Sequence, residues 1–338
     1  MNILPTQSIR TLINERLESI LAREGEQMRR SGWSRRDVIN ILDFSRSDLE
    51  SLFELAGKIS DRPNSIRRSL NEKIVATAFF EPSTRTRLSF TTAALKLGGK
   101  VIDLSPEASS VMKGESLPDT VRMLESYSDL IVMRHPSEGA ALLASEISES
   151  PVINGGDGSQ HHPTQAMLDL FTITRLKGHV DGLNYAIVGD IRYARTAASL
   201  LYGLSKFKPK KVYLVSPESL QPRTEIKTKI DQLGLRTEKL EDLEKIMPEI
   251  DVIYLTRIQK ERFPDVMEYE KVRGSYEVTR NMIAKGKKGS IVLHPLPRTN
   301  ELPSEVDTLP NAAYMKQAEW GVPMRMAILD LVIGGAKG

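Results

Sequence analysis

From Glu72 onward the apolar positions fall into short, largely continuous runs, at 74–80, 101–104, 130–133, 152–153, 185–188, 212–215, 252–255 and 291–293. Between several of them apolar residues recur at helical spacing, over 84–97, 117–127, 139–147, 164–176 and 196–204. An unbroken run suits a strand buried on both faces, and strand–helix alternation is the pattern of parallel sheets covered by helices. The predicted fold class is therefore α/β, with two doubly wound domains built on parallel sheets. The turn residues Gly178-His179-Val180-Asp181-Gly182 mark the boundary, with four strands before it and a second βα domain after it,. A last helical stretch, about 316–334, follows the second domain's strands and is expected to pack back on the first. That divides the chain into 1–36, 37–178 and 179–315.

Residues 1–36 read as an N-terminal helical extension. Ile9, Leu12, Ile13, Leu17, Ile20 and Leu21 keep helical spacing among charged residues,. Its arginines are interleaved with Glu15, Glu18, Glu24 and Glu26, whereas organelle transit peptides are poor in acids,. The stripe thus packs on its own body or meets a partner. Ser47 and Glu50 stand at capping-box spacing and predict a helix to about Gly57.

Composition narrows the class. At 338 residues the chain has room for two full cores, and 40% hydrophobic with 27% charged residues indicates a globular protein,. The net charge is only +3, with both signs interspersed, so no basic stripe suggests nucleic acid,. No cysteine is present, which excludes thiol catalysis, disulfides and thiolate metal sites,. No apolar run approaches the length of a membrane span, and a cytoplasmic protein is expected.

The chemistry concentrates where runs end. After 74–80 come Glu81-Pro82-Ser83-Thr84-Arg85-Thr86-Arg87, at the start of a helical pattern. A helix N-terminus offers unpaired N–H groups and a positive dipole end; hydroxyls and guanidiniums placed there supply what a phosphate dianion needs. Taken singly, such residues also suit a capped helix with surface arginines. Arg134-His135-Pro136 follows 130–133, His161-His162-Pro163-Thr164-Gln165 lies beyond 152–153, and His294-Pro295-Leu296-Pro297-Arg298 follows 291–293. Strand carboxyl ends are where open α/β sheets bind ligands. His135 or His161 alone suits a structural role. His162 precedes a proline, which holds its backbone extended, and Gln165 lies one turn on, so imidazole and carboxamide can both face a crevice.

With Ser83-Thr84-Arg85-Thr86-Arg87, Arg134-His135-Pro136, His162-Pro163-Thr164-Gln165 and His294-Pro295-Leu296-Pro297-Arg298 in this order, the chain resembles the aspartate/ornithine carbamoyltransferase family from about residue 38 to 335. The resemblance is nearer to members that use aspartate. It implies an active site in the crevice between the two domains, a carbamoyl phosphate-binding domain at 37–178 and an aspartate-binding domain at 179–315. It further implies a homotrimer with shared sites, open to regulatory chains in a larger assembly, and no cofactor or metal. The implied reaction moves the carbamoyl group of carbamoyl phosphate to the amine of L-aspartate, a committed step towards pyrimidines.

The same resemblance assigns the residues. Ser83, Thr84, Arg85 and Thr86 hold the phosphate, while Thr86, Arg134 and His162 donate to the carbamoyl oxygen; Arg85, Thr86, Arg134 and His162 make up the catalytic set. Gln165 and the carbonyls of Leu296 and Pro297 orient the carbamoyl NH2. Ser109 and Lys113 reach a neighbouring subunit's site, Ser109 for carbamoyl phosphate and Lys113 for aspartate. Arg195, Arg257 and Gln259 bind aspartate, and Glu81 pairs with Arg195 and Arg262 in domain closure. An ornithine-using member has a cysteine where Pro295 stands and acidic groups for its cationic acceptor. A catalytically silent scaffold subunit is the other alternative, although the donor positions are filled. Trp320 stands where the family usually has asparagine, and is expected beside the hinge of the site.

Overall fold

The computed structural model describes residues 32–63, 68–258, 263, 265–272 and 276–334, so the stripe at 9–21 and the predicted Gln259 and Arg262 lie outside the described residues. The first half runs α1 (Arg46–Asp61), β1 (Ile74–Phe79), α2 (Thr84–Lys96), β2 (Lys100–Leu104), α3 (Leu117–Tyr127), β3 (Leu130–His135), α4 (Ala140–Ile147), β4 (Val152–Asp157) and α5 (Pro163–Lys177). The second runs β5 (Asn184–Gly189), α6 (Arg195–Leu204), β6 (Lys211–Val215), α7 (Thr224–Gln232), β7 (Glu238–Leu240), β8 (Val252–Thr256), α8 (Val266–Val272), α9 (Arg280–Ala284) and β9 (Ile291–Leu293). The chain closes with α10 (Tyr314–Glu319) and α11 (Gly321–Ile333).

Both sheets are parallel, with strand orders β2-β1-β3-β4 and β7-β6-β5-β8-β9. The α/β reading is therefore correct. In each sheet the winding reverses once, between β1 and β3 and between β5 and β8, and these reversals open crevices at the strand carboxyl ends. Strand β7 escapes the apolar pattern because it is a short, largely exposed edge strand of sequence Glu-Lys-Leu. Burial of α5 explains how the halves are joined. Eleven of its residues are buried, and it packs on α6, while one apolar cluster continues from Phe44 and Phe90 through Phe171 to Tyr185, Leu200 and Leu293. Helix α11 packs on α1 and α2 of the first half.

Four local expectations change. The capping box of α1 is formed by Ser45 and Asp48, not Ser47 and Glu50: Asp48 N–H donates to Ser45 Oγ at 3.1 Å and Ser45 N–H to Asp48 Oδ2 at 2.8 Å. An aspartate serves as well as a glutamate here because the shorter arm still reaches back to the cap. The helix continues past Gly57 to Asp61. The last helical stretch is two helices meeting at Trp320, whose side chain is buried edge-on to Phe171, ring centroids 5.7 Å apart. Trp320 is therefore a core residue rather than a group at the hinge of the site.

Candidate active site

The carboxyl ends of β1 and β3 lie side by side, with Phe79 paired to Arg134 and Phe80 N–H donating to the Arg134 carbonyl at 2.8 Å. Beyond β1 the chain turns into α2. Its N-cap Ser83 makes no capping bond with its side chain, and the first turn carries no acid. The N–H groups and positive end of α2 are thus left to a ligand. Instead of capping, Ser83 Oγ accepts from Arg134 Nη1 at 2.9 Å. Dehydration in the crevice, and then the charges of Arg134 and Arg257, push the pKa of Arg85 below the ordinary arginine value, the mark of crowded cations,.

Glu81 connects the two halves. Its Oε2 accepts from Arg134 Nε at 3.2 Å and from both Nη atoms of Arg195, on the far side of the crevice, at 3.1 Å. Arg195 Nη1 also donates to the Gly158 carbonyl at 2.7 Å. Gly156 is required beside it: with φ +119, an added Cβ would stand 2.8 Å from Arg195 Nε,.

His162 precedes Pro163, the first residue of α5, and its N–H donates to Ser199 Oγ at 2.8 Å. Its ring lies 3.5 Å from Thr86 Oγ1 and from Thr164 Oγ1. Burial, then the charges of Arg195, Arg134 and Arg325, hold its pKa well below the usual histidine value, so at neutral pH it is an uncharged imidazole with one N–H to donate,. Gln165 Nε2 donates to Asp169 at 2.7 Å. The loop after β9 is braced by His294: its Nδ1 accepts from Leu296 N–H at 2.8 Å and its Nε2 meets Glu301 Oε1 at 3.0 Å. Burial raises the Glu301 carboxyl, but the bonds from His294 and Thr299 outweigh it and hold the group down to about 2. Leu296 has φ +57, a left-handed conformation rare for a branched side chain and frequent at functional sites,.

These groups line one crevice of about 1120 Å³. Among the described residues, five guanidiniums (Arg85, Arg134, Arg195, Arg257 and Arg325) face it against a single carboxylate, Glu81. Two family models match: "Aspartate/ornithine carbamoyltransferase, carbamoyl-P binding domain" over residues 36–175, and "Aspartate/ornithine carbamoyltransferase, Asp/Orn binding domain" over 181–332. The chain belongs to the aspartate/ornithine carbamoyltransferase family. It is 55% identical to the aspartate carbamoyltransferase catalytic subunit of Thermofilum pendens over 89% of this chain and 96% of that one. Identity to the Hyperthermus butylicus subunit of the same name is also 55%, over 90% of this chain and 98% of the relative. Among solved structures it resembles aspartate transcarbamoylase from Trypanosoma cruzi in complex with carbamoyl phosphate and aspartate: TM-score 0.86, 37% identity, 89% of this chain and 98% of that one. It also resembles the catalytic subunit of M. jannaschii aspartate transcarbamoylase, with TM-score 0.81 and 48% identity over 89% of this chain and 99% of that one.

Of the carbamoyltransferase positions expected from sequence, Glu81, Ser83, Thr84, Arg85, Thr86, Arg134, His162, Gln165, Arg195, Arg257, Leu296 and Pro297 all line this crevice. Ser109 and Lys113 do not. They sit on short turns over Pro106–Ala108 and Ser110–Lys113, with Lys113 exposed. Arg87 turns from the crevice toward Asp103, 3.4 Å away, and Arg298 pairs with Asp307. Reading from sequence missed Arg325, buried in the crevice wall, and Asp169 behind Gln165. An acid inside an apolar helical run was the available signal for Asp169.

Proposed function

We propose that this chain transfers the carbamoyl group of carbamoyl phosphate to the amine of L-aspartate, giving N-carbamoyl-L-aspartate and phosphate in the service of pyrimidine synthesis. The balance of charge in the crevice carries the reading. Among the described residues, five guanidiniums against one carboxylate match a phosphate dianion together with an acceptor bearing two carboxylates. An ornithine side chain would set an ammonium among those guanidiniums, a repulsion that a poorly hydrated site strengthens.

Residues 37–178, with α11, form the half that binds carbamoyl phosphate, and 179–315 the half that binds the acceptor. The phosphate rests on the α2 N-terminus with Ser83, Thr84, Arg85 and Thr86. Thr86, Arg134 and neutral His162 donate to the carbamoyl oxygen. Gln165 and the carbonyls of Leu296 and Pro297 accept from the carbamoyl NH2. Arg195 and Arg257 hold the acceptor carboxylates. The amine attacks the carbamoyl carbon, and negative charge gathers on the oxygen facing those donors. The carbon–oxygen bond to phosphate then breaks, and phosphate leaves with the electron pair and takes the amine's proton. No strong general base is required.

The working assembly is a homotrimer in which Ser109 and Lys113 complete the neighbour's site. Its support is an uneven surface: six of the nine exposed large apolar side chains among the described residues fall between Leu88 and Leu142,. No helix among the described residues is long and apolar enough to cross a membrane, in keeping with a cytoplasmic place of action. The test offers L-aspartate and L-ornithine at equal concentration with labelled carbamoyl phosphate. Labelled carbamoyl-aspartate is expected; a predominance of citrulline overturns the reading.

A further inference from the structure

Asp169 does not line the crevice, yet three of its neighbours lead to it. It is completely buried on α5, one turn beyond Gln165. Its Oδ1 accepts from Gln165 Nε2 at 2.7 Å and from Gln317 Nε2 at 2.6 Å, and its Oδ2 accepts from Tyr254 Oη at 2.8 Å. Gln317, on α10, in turn accepts the His294 N–H on its Oε1 at 2.9 Å, and His294 accepts from Leu296 N–H. Tyr254 lies on β8, which ends beside Arg257. One carboxyl thus ties Gln165 in the first half to the loop of Leu296 and Pro297 and to β8 in the second.

We propose that Asp169 is a positioning residue for carbamoyl transfer, dictating that Gln165 and Gln317 turn their amide nitrogens inward and so present acceptor oxygens to the carbamoyl NH2 and to the His294 backbone. This rests on the reading of the crevice as a carbamoyl phosphate site. A glutamine amide is close to symmetric in shape, and rotation by half a turn exchanges its acceptor for two donors. A donor facing the carbamoyl NH2 would repel it. With Oδ1 of Asp169 accepting, the reversed amide would set oxygen against oxygen in a buried site, so a single orientation survives. Burial pushes this carboxyl up to about 7, against the bonds from Tyr254, Gln165 and Gln317 and the charge of Arg325. Protonation does not undo the arrangement, because the proton belongs on Oδ2, where the Tyr254 hydroxyl can reverse and accept it, leaving Oδ1 an acceptor.

The test compares wild type, Asp169→Leu, Asp169→Asn and Gln317→Leu as full chains. Calorimetry measures binding of inorganic phosphate, which has no NH2, and of phosphonoacetamide, a stable mimic that keeps it; kcat is read in parallel. In Asp169→Leu, phosphonoacetamide affinity and kcat should each fall about tenfold or more, with phosphate affinity within about twofold of wild type. Asp169→Asn keeps an oxygen at Oδ1 and should remain within about threefold of wild type for phosphonoacetamide. Gln317→Leu cuts only the arm to His294 and should show the same selective loss, so it carries the test where Asp169→Leu fails to fold. Equal losses of both ligands, an Asn variant as impaired as the Leu variant, or no change in either Leu variant each overturn the proposal. A wild-type chain that neither carbamoylates aspartate nor prefers phosphonoacetamide to phosphate overturns the reading of the crevice instead.

Discussion

His162 is 4% exposed, and the guanidiniums of Arg195, Arg134 and Arg325 act on it. Desolvation and those charges disfavour the imidazolium, so the folded ring stays neutral as pH falls through about 6.5, where a histidine in the unfolded chain takes up its proton. The linkage has a definite sign: with more protons on the unfolded state, this residue's contribution to stability is present above that pH and is lost below it. Nitrogen-15 NMR of the ring should show no titration between pH 6 and 8; a midpoint near 6.5 would contradict the enclosed geometry. Arg85 presents a different case. It is exposed, lines the crevice among other cations and forms no ion pair among the described residues, so Arg85→Ala should leave folding intact. Loss of its contact to a dianion should raise the barrier by about 3 kcal/mol or more. Steady-state kinetics with carbamoyl phosphate measure this directly, and wild-type values would remove Arg85 from the phosphate site.

At the scale of elements, the exchange of caps at α1 gives a sharp comparison. Ser45 Oγ receives the Asp48 N–H, whereas Ser47 Oγ meets Ser45 Oγ at 2.9 Å without itself capping the helix. Ser45→Ala should lower stability by about 1 kcal/mol and Ser47→Ala by under about 0.5 kcal/mol in urea denaturation; the reverse order would restore the cap predicted from sequence. That slip of two residues shows where reading a sequence ends. The runs that became β1, β3 to β6, β8 and β9 were legible because strands buried on both faces are nearly all apolar, and β2, only partly buried, because three of the four residues in its run are apolar,. The corner of the crevice lined by Ser83 to Thr86 was legible because those residues are consecutive. By contrast, Gln317 and Asp169 meet across 148 positions, and Tyr254 and Asp169 across 85. No local pattern encodes such a pairing. Trp320 was misplaced for the same reason, its partner Phe171 lying on a different helix.

For the whole molecule, the open matter is whether one chain makes a working site. The crevice holds Ser83 to Thr86, His162, Arg195 and Arg257, while Ser109 and Lys113 of the same chain lie outside it. Met112, beside Lys113, is 71% exposed, a large apolar side chain in a place that an adjoining subunit would cover. If each site takes His162 from one chain and Lys113 from its neighbour, Lys113→Ala and His162→Ala proteins should each be nearly inactive alone. Unfolded together in equal amounts and refolded, they should form mixed trimers. A site then escapes both mutations only when a Lys113→Ala chain supplies its crevice and a His162→Ala chain supplies its turn. Random mixing makes that about one site in four in a closed ring with head-to-tail interfaces. Activity near a quarter of wild type is therefore expected, with native mass spectrometry confirming trimers that contain both chains. Mixed trimers without recovered activity would mean sites built within a single chain, since every chain then carries one of the two lesions, and a Lys113→Ala protein active on its own would return Lys113 to the ordinary solvated surface.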